Sequence, residues 1–225
     1  KDRHMSASPS WQPSTKFMDA FKWACELHTL NVRKGSDIPY IGHLLGVASS
    51  VIEAGGSENQ AMAAFLHDSV EDTSTSIEQI AERINREVAD IVAACTDATA
   101  TEKNDESKLR DSLSRGEYGR LWWRERKKPY IKALKAKTMD DPSVLVALAD
   151  KTYNAENTAA DLRGLNEADR AKVWSKFNAD EKFQMKWYLG LLRAFRKKKI
   201  YDTRSEPLFR RFEAAVNEMF PIEER

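Results

Sequence analysis

Apolar residues along this chain recur at intervals of three and four rather than two. Phe17, Ala20, Phe21, Ala24 and Leu27 fall on one helical stripe behind a Ser14–Thr15 start signal. Leu44, Val47, Ala48, Val51 and Ile52 form a second stripe, closed by Gly55 and Gly56, which a helix C-terminus favours. Ser57 with Gln60, and Ser76 with Gln79, make capping-box patterns in front of Met62, Phe65 and Leu66 and of Ile80 and Ile84. Val88, Ile91, Val92 and Cys95 continue the theme. The period resumes at Leu121 and runs to about Met139. Asp141 and Pro142 then open a helix carrying Val144, Leu145, Leu148 and Ala149. Further helices are expected over 169–176, 181–198 and 205–220, the last with Ser205 as cap and Pro207 in its first turn. No Asn-Gly or Asp-Gly turn separates alternating apolar runs. The pattern predicts an all-α bundle of about nine helices in a single domain.

Two stretches fall outside that pattern. Residues 98–120 are polar and carry no apolar stripe, which predicts a polar loop or lid, partly mobile. Residues 1–14 read as an expression remnant (Lys1–His4 before Met5) followed by an extended leader containing Pro9 and Pro13, so His4 is left out of any metal arithmetic. The domain proper is expected over 15–225, and three histidines remain in it: His28, His43 and His67.

Composition narrows the class. The 225 residues hold 36 Lys+Arg against 35 Asp+Glu, a formal charge of +1. This near-neutral balance argues against a protein built mainly to bind nucleic acid. The longest apolar run, 144–149, is far short of the ~18 residues of a membrane span, and no secretory signal pattern is visible. Two cysteines, Cys25 and Cys95, without a CxxC pairing, read as reduced thiols of a cytoplasmic protein.

The chemistry concentrates in three places. His67 and Asp68 are adjacent near a helix end in "AAFLHDSVEDT", where one imidazole nitrogen and one carboxylate oxygen can face a common point. Mixed nitrogen and oxygen donors suit Mn, Fe, Zn or Co better than Ca or Mg. His43 lies at a helix start in "RKGSDIPYIGH". Asp150 sits in the apolar stretch "VALADKTYNAEN", where a buried carboxylate without a partner costs several kcal/mol. Glu71 and Asp72 lie one helical turn beyond the His67–Asp68 pair and project toward the same neighbourhood. His28 has no acidic neighbour at ligand spacing, and Trp122, Trp123, Trp187 and Tyr188 read as core or interface aromatics before pocket walls.

His43, His67–Asp68 and Asp150, in that order, match the H…HD…D arrangement of the HD metal-dependent phosphohydrolases. "RKG…PYIGH", "LHDSVEDT" and "LADKTYNAEN" together resemble the hydrolase domain of RelA/SpoT homologues, and above all the stand-alone small alarmone hydrolases. The three blocks span 33–157, and the chain has no room for a synthetase domain. The resemblance implies hydrolysis of the 3′-diphosphate of guanosine or adenosine alarmones, (p)ppGpp or (p)ppApp, releasing pyrophosphate and the 5′-nucleotide. It implies Mn²⁺ held by His43, His67, Asp68 and Asp150, with Glu71 and Asp72 positioning and deprotonating the attacking water. It also implies substrate contacts from Arg33, Lys34 and Asn154, to which the residues themselves add Lys151 as a further cation for phosphate. A toxin synthetase counterpart is a partner that some members of this family have.

Family members often carry Lys three residues before the late Asp, where Ala147 stands here, and the stretch from 98 through "LWWRERKKPYIKAL" is longer than in compact members. Two other readings stay open on the residues alone. One is an HD phosphohydrolase of nucleoside monophosphates or phosphate esters; the other is a non-catalytic, antitoxin-like binding module.

Overall fold

The computed structural model describes residues 9–198 and 203–221. These form thirteen α-helical segments, ten of them nine residues or longer, and one π-helical turn, with no β-strand among the described residues. The expected all-α architecture is present. Helices α1 (Thr15–Leu27), α2 (Ile41–Glu53) and α3 (Glu58–Leu66) begin the fold, followed by the short α4 (Ser69–Asp72), α5 (Ile77–Arg83) and α6 (Arg86–Cys95). The capping boxes read at Ser57/Gln60 and Ser76/Gln79 are formed on both sides, which places the starts of α3 and α5.

At the centre runs α10 (Pro142–Leu162), capped by Asp141 with Pro142 in its first turn. Every residue from Ser143 to Asp150 is buried, so this helix is enclosed on all sides rather than amphipathic. It packs on α2, α3, α6 and α13 (Glu206–Met219). Helix α11 (Glu167–Ser175) follows it, and α12 (Glu181–Arg196) closes the other side against α13 and α9 (Lys128–Ala136). Phe195, Phe209, Phe212 and Phe220 are fully buried in that half of the core.

The stretch 98–120 is mostly helical, not a loop. It forms α7 (Ala100–Arg110) and α8 (Arg115–Trp122), continued by the π-helical turn Trp123–Lys127 into α9. Helix α7 buries no residue at all, which is why no apolar stripe announced it. Its start is set by a capping box, Thr99 with Glu102, and α8 by another, Ser114 with Glu117. The leader read over 1–14 lies outside the described residues up to residue 8. From residue 9 to 14 it has no helix, and Trp11 docks it to the body: its indole N–H donates to the Gly56 carbonyl at 2.9 Å and its ring meets Phe17.

Candidate active site

His43 enters from the first turn of α2, His67 caps the C-terminus of α3, Asp68 stands between α3 and α4, and Asp150 projects from the middle of α10. Their side chains meet. The two imidazole Nε2 atoms face each other at 3.3 Å. Asp68 Oδ2 lies 3.0 Å from His67 Nε2 and 3.4 Å from His43 Nε2, and Asp150 Oδ1 lies 3.5 and 3.3 Å from the same atoms. One ligand atom each from His43, His67 and Asp150 falls within 4.8 Å of the others, and all three residues are buried.

Surrounding bonds orient these groups. His67 Nδ1–H donates to the Ala64 carbonyl at 2.8 Å, which turns the Nε2 lone pair inward, the arrangement usual for a metal-binding imidazole. The Tyr40 hydroxyl donates to Asp68 Oδ2 at 2.6 Å. Asp150 accepts from Asn154 Nδ2 at 2.6 Å on one oxygen and from the Lys151 ammonium at 2.5 Å on the other. Tyr153 packs its ring edge on His43 and donates its hydroxyl to the Gly42 carbonyl. Gly46 makes room for it: a Cβ there would sit 2.0 Å from the Tyr153 ring.

The electrostatics match a cation site. Burial pulls the His67 pKa down, yet Asp68 and Asp150 outweigh it and hold the imidazole well above its ordinary value. Burial pushes Asp150 up, and Lys151 together with the two histidines holds it well below the carboxylate range. Two imidazoles and the Asp150 carboxylate grouped around one point, with Asp68 Oδ2 within 3.4 Å of both imidazoles, form a donor set that fits a divalent metal of the transition series, and divalent-metal binding is the property of the HD fold.

Above this floor opens a cavity of about 760 Å³. Eight Lys and Arg side chains line it against three carboxylates, Asp72, Glu106 and Asp161, although the whole chain carries only +1. Arg33 and Lys34 reach it from a small hairpin closed by a Val32–Pro39 bridge, with Gly35 at φ +74° in the turn between them. The Arg33 guanidinium donates to Asn154 Oδ1 at 3.0 Å and lies over the Tyr153 and Tyr40 rings. Lys34 donates to Asn178 Oδ1. Lys151 and Asn154 border the cavity, but both are bonded to Asp150, so each also serves the carboxylate it flanks. Trp122, Trp187 and Tyr188 are buried and also face the cavity, so the core reading and the pocket reading hold together.

Glu71 and Asp72 stand on α4 beside the floor. Glu71 Oε2 pairs with the Lys103 ammonium at 2.6 Å, Glu71 Oε1 accepts from the Asp97 backbone N–H at 3.1 Å, and Asp72 Oδ1 pairs with Lys103 at 2.8 Å. Burial and the Asp97 carboxylate push the Glu71 pKa up, with Lys103 opposing them. His28 stays outside the cluster; it is buried against the Tyr40 ring, and neither ring nitrogen has a hydrogen-bond partner.

Sequence reading overlooked the cations behind the cavity. Arg126 and Lys127, both from the π-helical turn, pair with the two oxygens of Asp97, and Arg126 also holds Glu106 at 2.7 Å. Lys127 lies over the Trp122 and Trp187 rings at 5.1 and 4.7 Å. The signal available was the "WRERKK" run beside two tryptophans, which carries too many cations for a purely packed helix. Lys103 and Tyr40 had no local signal.

A family model described as the HD domain matches residues 20–180. The guanosine-3′,5′-bis(diphosphate) 3′-pyrophosphohydrolase MESH1 of Xenopus tropicalis is 33% identical over 170 residues, covering 74% of this chain and 78% of that protein. A probable guanosine-3′,5′-bis(diphosphate) 3′-pyrophosphohydrolase of Synechocystis is 44% identical over 77 residues, and the matched part spans 10% of that much longer protein. The solved structure of a metazoan ortholog of SpoT that hydrolyzes ppGpp superposes with a TM-score of 0.62 over 93% of this chain and 98% of that one; at 23% identity this is a likeness of fold. The chain belongs to the HD-domain family and, within it, to the small alarmone hydrolases that include MESH1.

Proposed function

We propose that this protein hydrolyses the 3′-diphosphate of guanosine or adenosine alarmones, releasing pyrophosphate and leaving the 5′-nucleotide with a free 3′-hydroxyl. The observation that carries the reading is the meeting of His43, His67, Asp68 and Asp150 beside a cation-lined cavity that His43 and Asp72 border, with Glu71 next to Asp72 on α4. Those four residues would hold a divalent cation, Mn²⁺ in our reading, which when bound would supply Lewis acidity to phosphoryl oxygen and to water.

The chain's own residues supply the rest. Arg33 and Lys34 meet the base or phosphates of the nucleotide from the hairpin, and Lys151 and Asn154 reach the ribose and 3′-phosphate side of the cavity. Tyr153 and the tryptophan walls offer faces for a purine. Glu71, whose pKa is raised by burial and the Asp97 carboxylate, takes a proton from the attacking water, and Asp72 supports it. The new bond joins water oxygen to the phosphorus next to the ribose. The bond from that phosphorus to O3′ breaks, and O3′ leaves with a proton. Free cysteines and the lack of a membrane-spanning helix among the described residues support a cytoplasmic enzyme.

Product analysis tests the reading. The Mn²⁺-loaded protein, given ppGpp and ppApp, is expected to release pyrophosphate from at least one of them. Release of orthophosphate from nucleoside monophosphates, with no attack on either 3′-diphosphate, would assign it to the broader phosphohydrolases. Tight binding of both nucleotides without turnover would leave a binding module, the antitoxin-like reading.

A further inference from the structure

Helix α7 lies along the cavity mouth without a buried residue to hold it there. Its contact with the body runs through charged and polar side chains. Glu106 is held by Arg126 and by the Tyr118 hydroxyl, and Lys103 is inserted between Glu71 and Asp72. The second contact is the unusual one. It engages both carboxylates on α4 and fixes Glu71 at each oxygen, with the Lys103 ammonium on Oε2 and the Asp97 N–H on Oε1.

Lys103 also occupies a shared wall. With Tyr40 and Asp72 it borders both the main cavity and a second opening of about 440 Å³. Glu71 borders that second opening, while Asp72 borders both. Without a cation between them, two neighbouring carboxylates close to Asp68 and Asp97 repel each other and turn toward solvent. The Lys103 side chain is 31% exposed against 13% for Glu71, so the pair is sheltered enough for the cation to matter.

We propose that Lys103 is a positioning residue for the reaction, acting through Glu71 and Asp72 from a helix that the packed core does not otherwise need. Its ammonium holds Glu71 and Asp72 together beside the shared wall of the two openings. The inference rests on the reading of Glu71 as proton acceptor given above.

The test compares Lys103→Met and Lys103→Arg with the parent, each as the full chain loaded with Mn²⁺ and supplied with ppGpp or ppApp, whichever the parent hydrolyses. A displacement of about 1 Å in a reacting group costs on the order of 10²-fold, so Lys103→Met is expected to lose roughly tenfold to a hundredfold in kcat. KM should stay within about twofold and metal content should match the parent. Lys103→Arg should recover most of the rate. Unchanged kcat, or a loss carried by KM alone, overturns the proposal, because the first is what a surface anchor gives and the second what a substrate contact gives. If the parent hydrolyses neither nucleotide, the functional reading fails instead. Crystal structures then decide the positioning claim: Glu71 leaving the Asp97 N–H in Lys103→Met supports it, and Glu71 unmoved overturns it.

Discussion

A carboxylate in the middle of an enclosed helix has to be held by its surroundings, and Asp150 is held on both oxygens by Asn154, Lys151 and two imidazoles. On the proposed reading, residues that bind metal and residues that act beside it respond differently to substitution. His67→Ala should lose metal and turnover together, read by metal analysis of the purified protein. Glu71→Gln keeps shape and loses basicity, so it should retain metal and lose roughly 10²–10⁴-fold in kcat. Gly46→Ala places a methyl into the Tyr153 ring. Overpacking of this kind costs about 1–3 kcal/mol, and urea unfolding should show the loss; a neutral result would mean that Tyr153 moves freely beside His43. The meeting of His67, Asp68 and Asp150 and the place of Glu71–Asp72 beside them were legible in the sequence because these come as neighbours, at helical spacing, or as a charge where none belongs, whereas His43 was legible only through the family resemblance. Tyr40, Asp97, Lys103 and Lys127 were not, since each finds its partner 26 to 31 residues away and nothing local reports such a contact.

Among elements, the segment from α7 to the π-helical turn departs most from what patterning can show. Apolar periodicity detects helices that bury a face, and α7 buries none. Its capping box was present in the residues and is the one signal that marks its start. The π-helical turn sets Arg126 and Lys127, consecutive residues, onto the two oxygens of one buried carboxylate, and π-turns of this sort occur often at functional sites. Burial pushes Asp97 up, but Lys127 and Arg126 hold it well below its ordinary 3.8. A carboxyl depressed on folding stabilises the protein above its unfolded pKa and loses that contribution as pH falls through the folded value. Asp97→Asn should therefore destabilise the protein by about 3 kcal/mol at neutral pH, since the half-buried Lys127 loses its carboxylate and Arg126 keeps only Glu106. The gap between parent and variant in urea unfolding should narrow on acidification. A gap that widened would contradict the assignment.

For the whole molecule, the informative quantity is the contrast between a balanced chain and an unbalanced cavity. A net charge of +1 argues against a protein built mainly to bind nucleic acid, yet eight cations against three carboxylates gather around one opening. Composition averages over the surface and cannot show such a concentration; only folding brings 33–34, 103–127 and 151–176 to one place. Lys103, Arg110, Arg126, Lys127, Lys151 and Lys176 are ion-paired, which leaves Arg33 and Lys34 as the cations most available to an anionic substrate among the described residues. Replacing Arg33 and Lys34 together with Ala should raise KM about tenfold or more, at the scale of charge-assisted hydrogen bonds, with metal content unchanged. Added salt should raise the parent's KM more steeply than the variant's. Equal salt dependence would make the two residues ordinary surface charges.

The central claim, a water attacking the phosphorus next to the ribose at a metal-dependent site, is tested most directly by hydrolysis in ¹⁸O-water. The products formed by the Mn²⁺-loaded protein from a 3′-diphosphate alarmone are read by phosphorus NMR and mass spectrometry. The account predicts one ¹⁸O in the pyrophosphate, none in the nucleotide, and no product after chelation of the metal. Label in the nucleotide, orthophosphate in place of pyrophosphate, or undiminished turnover without metal would contradict it.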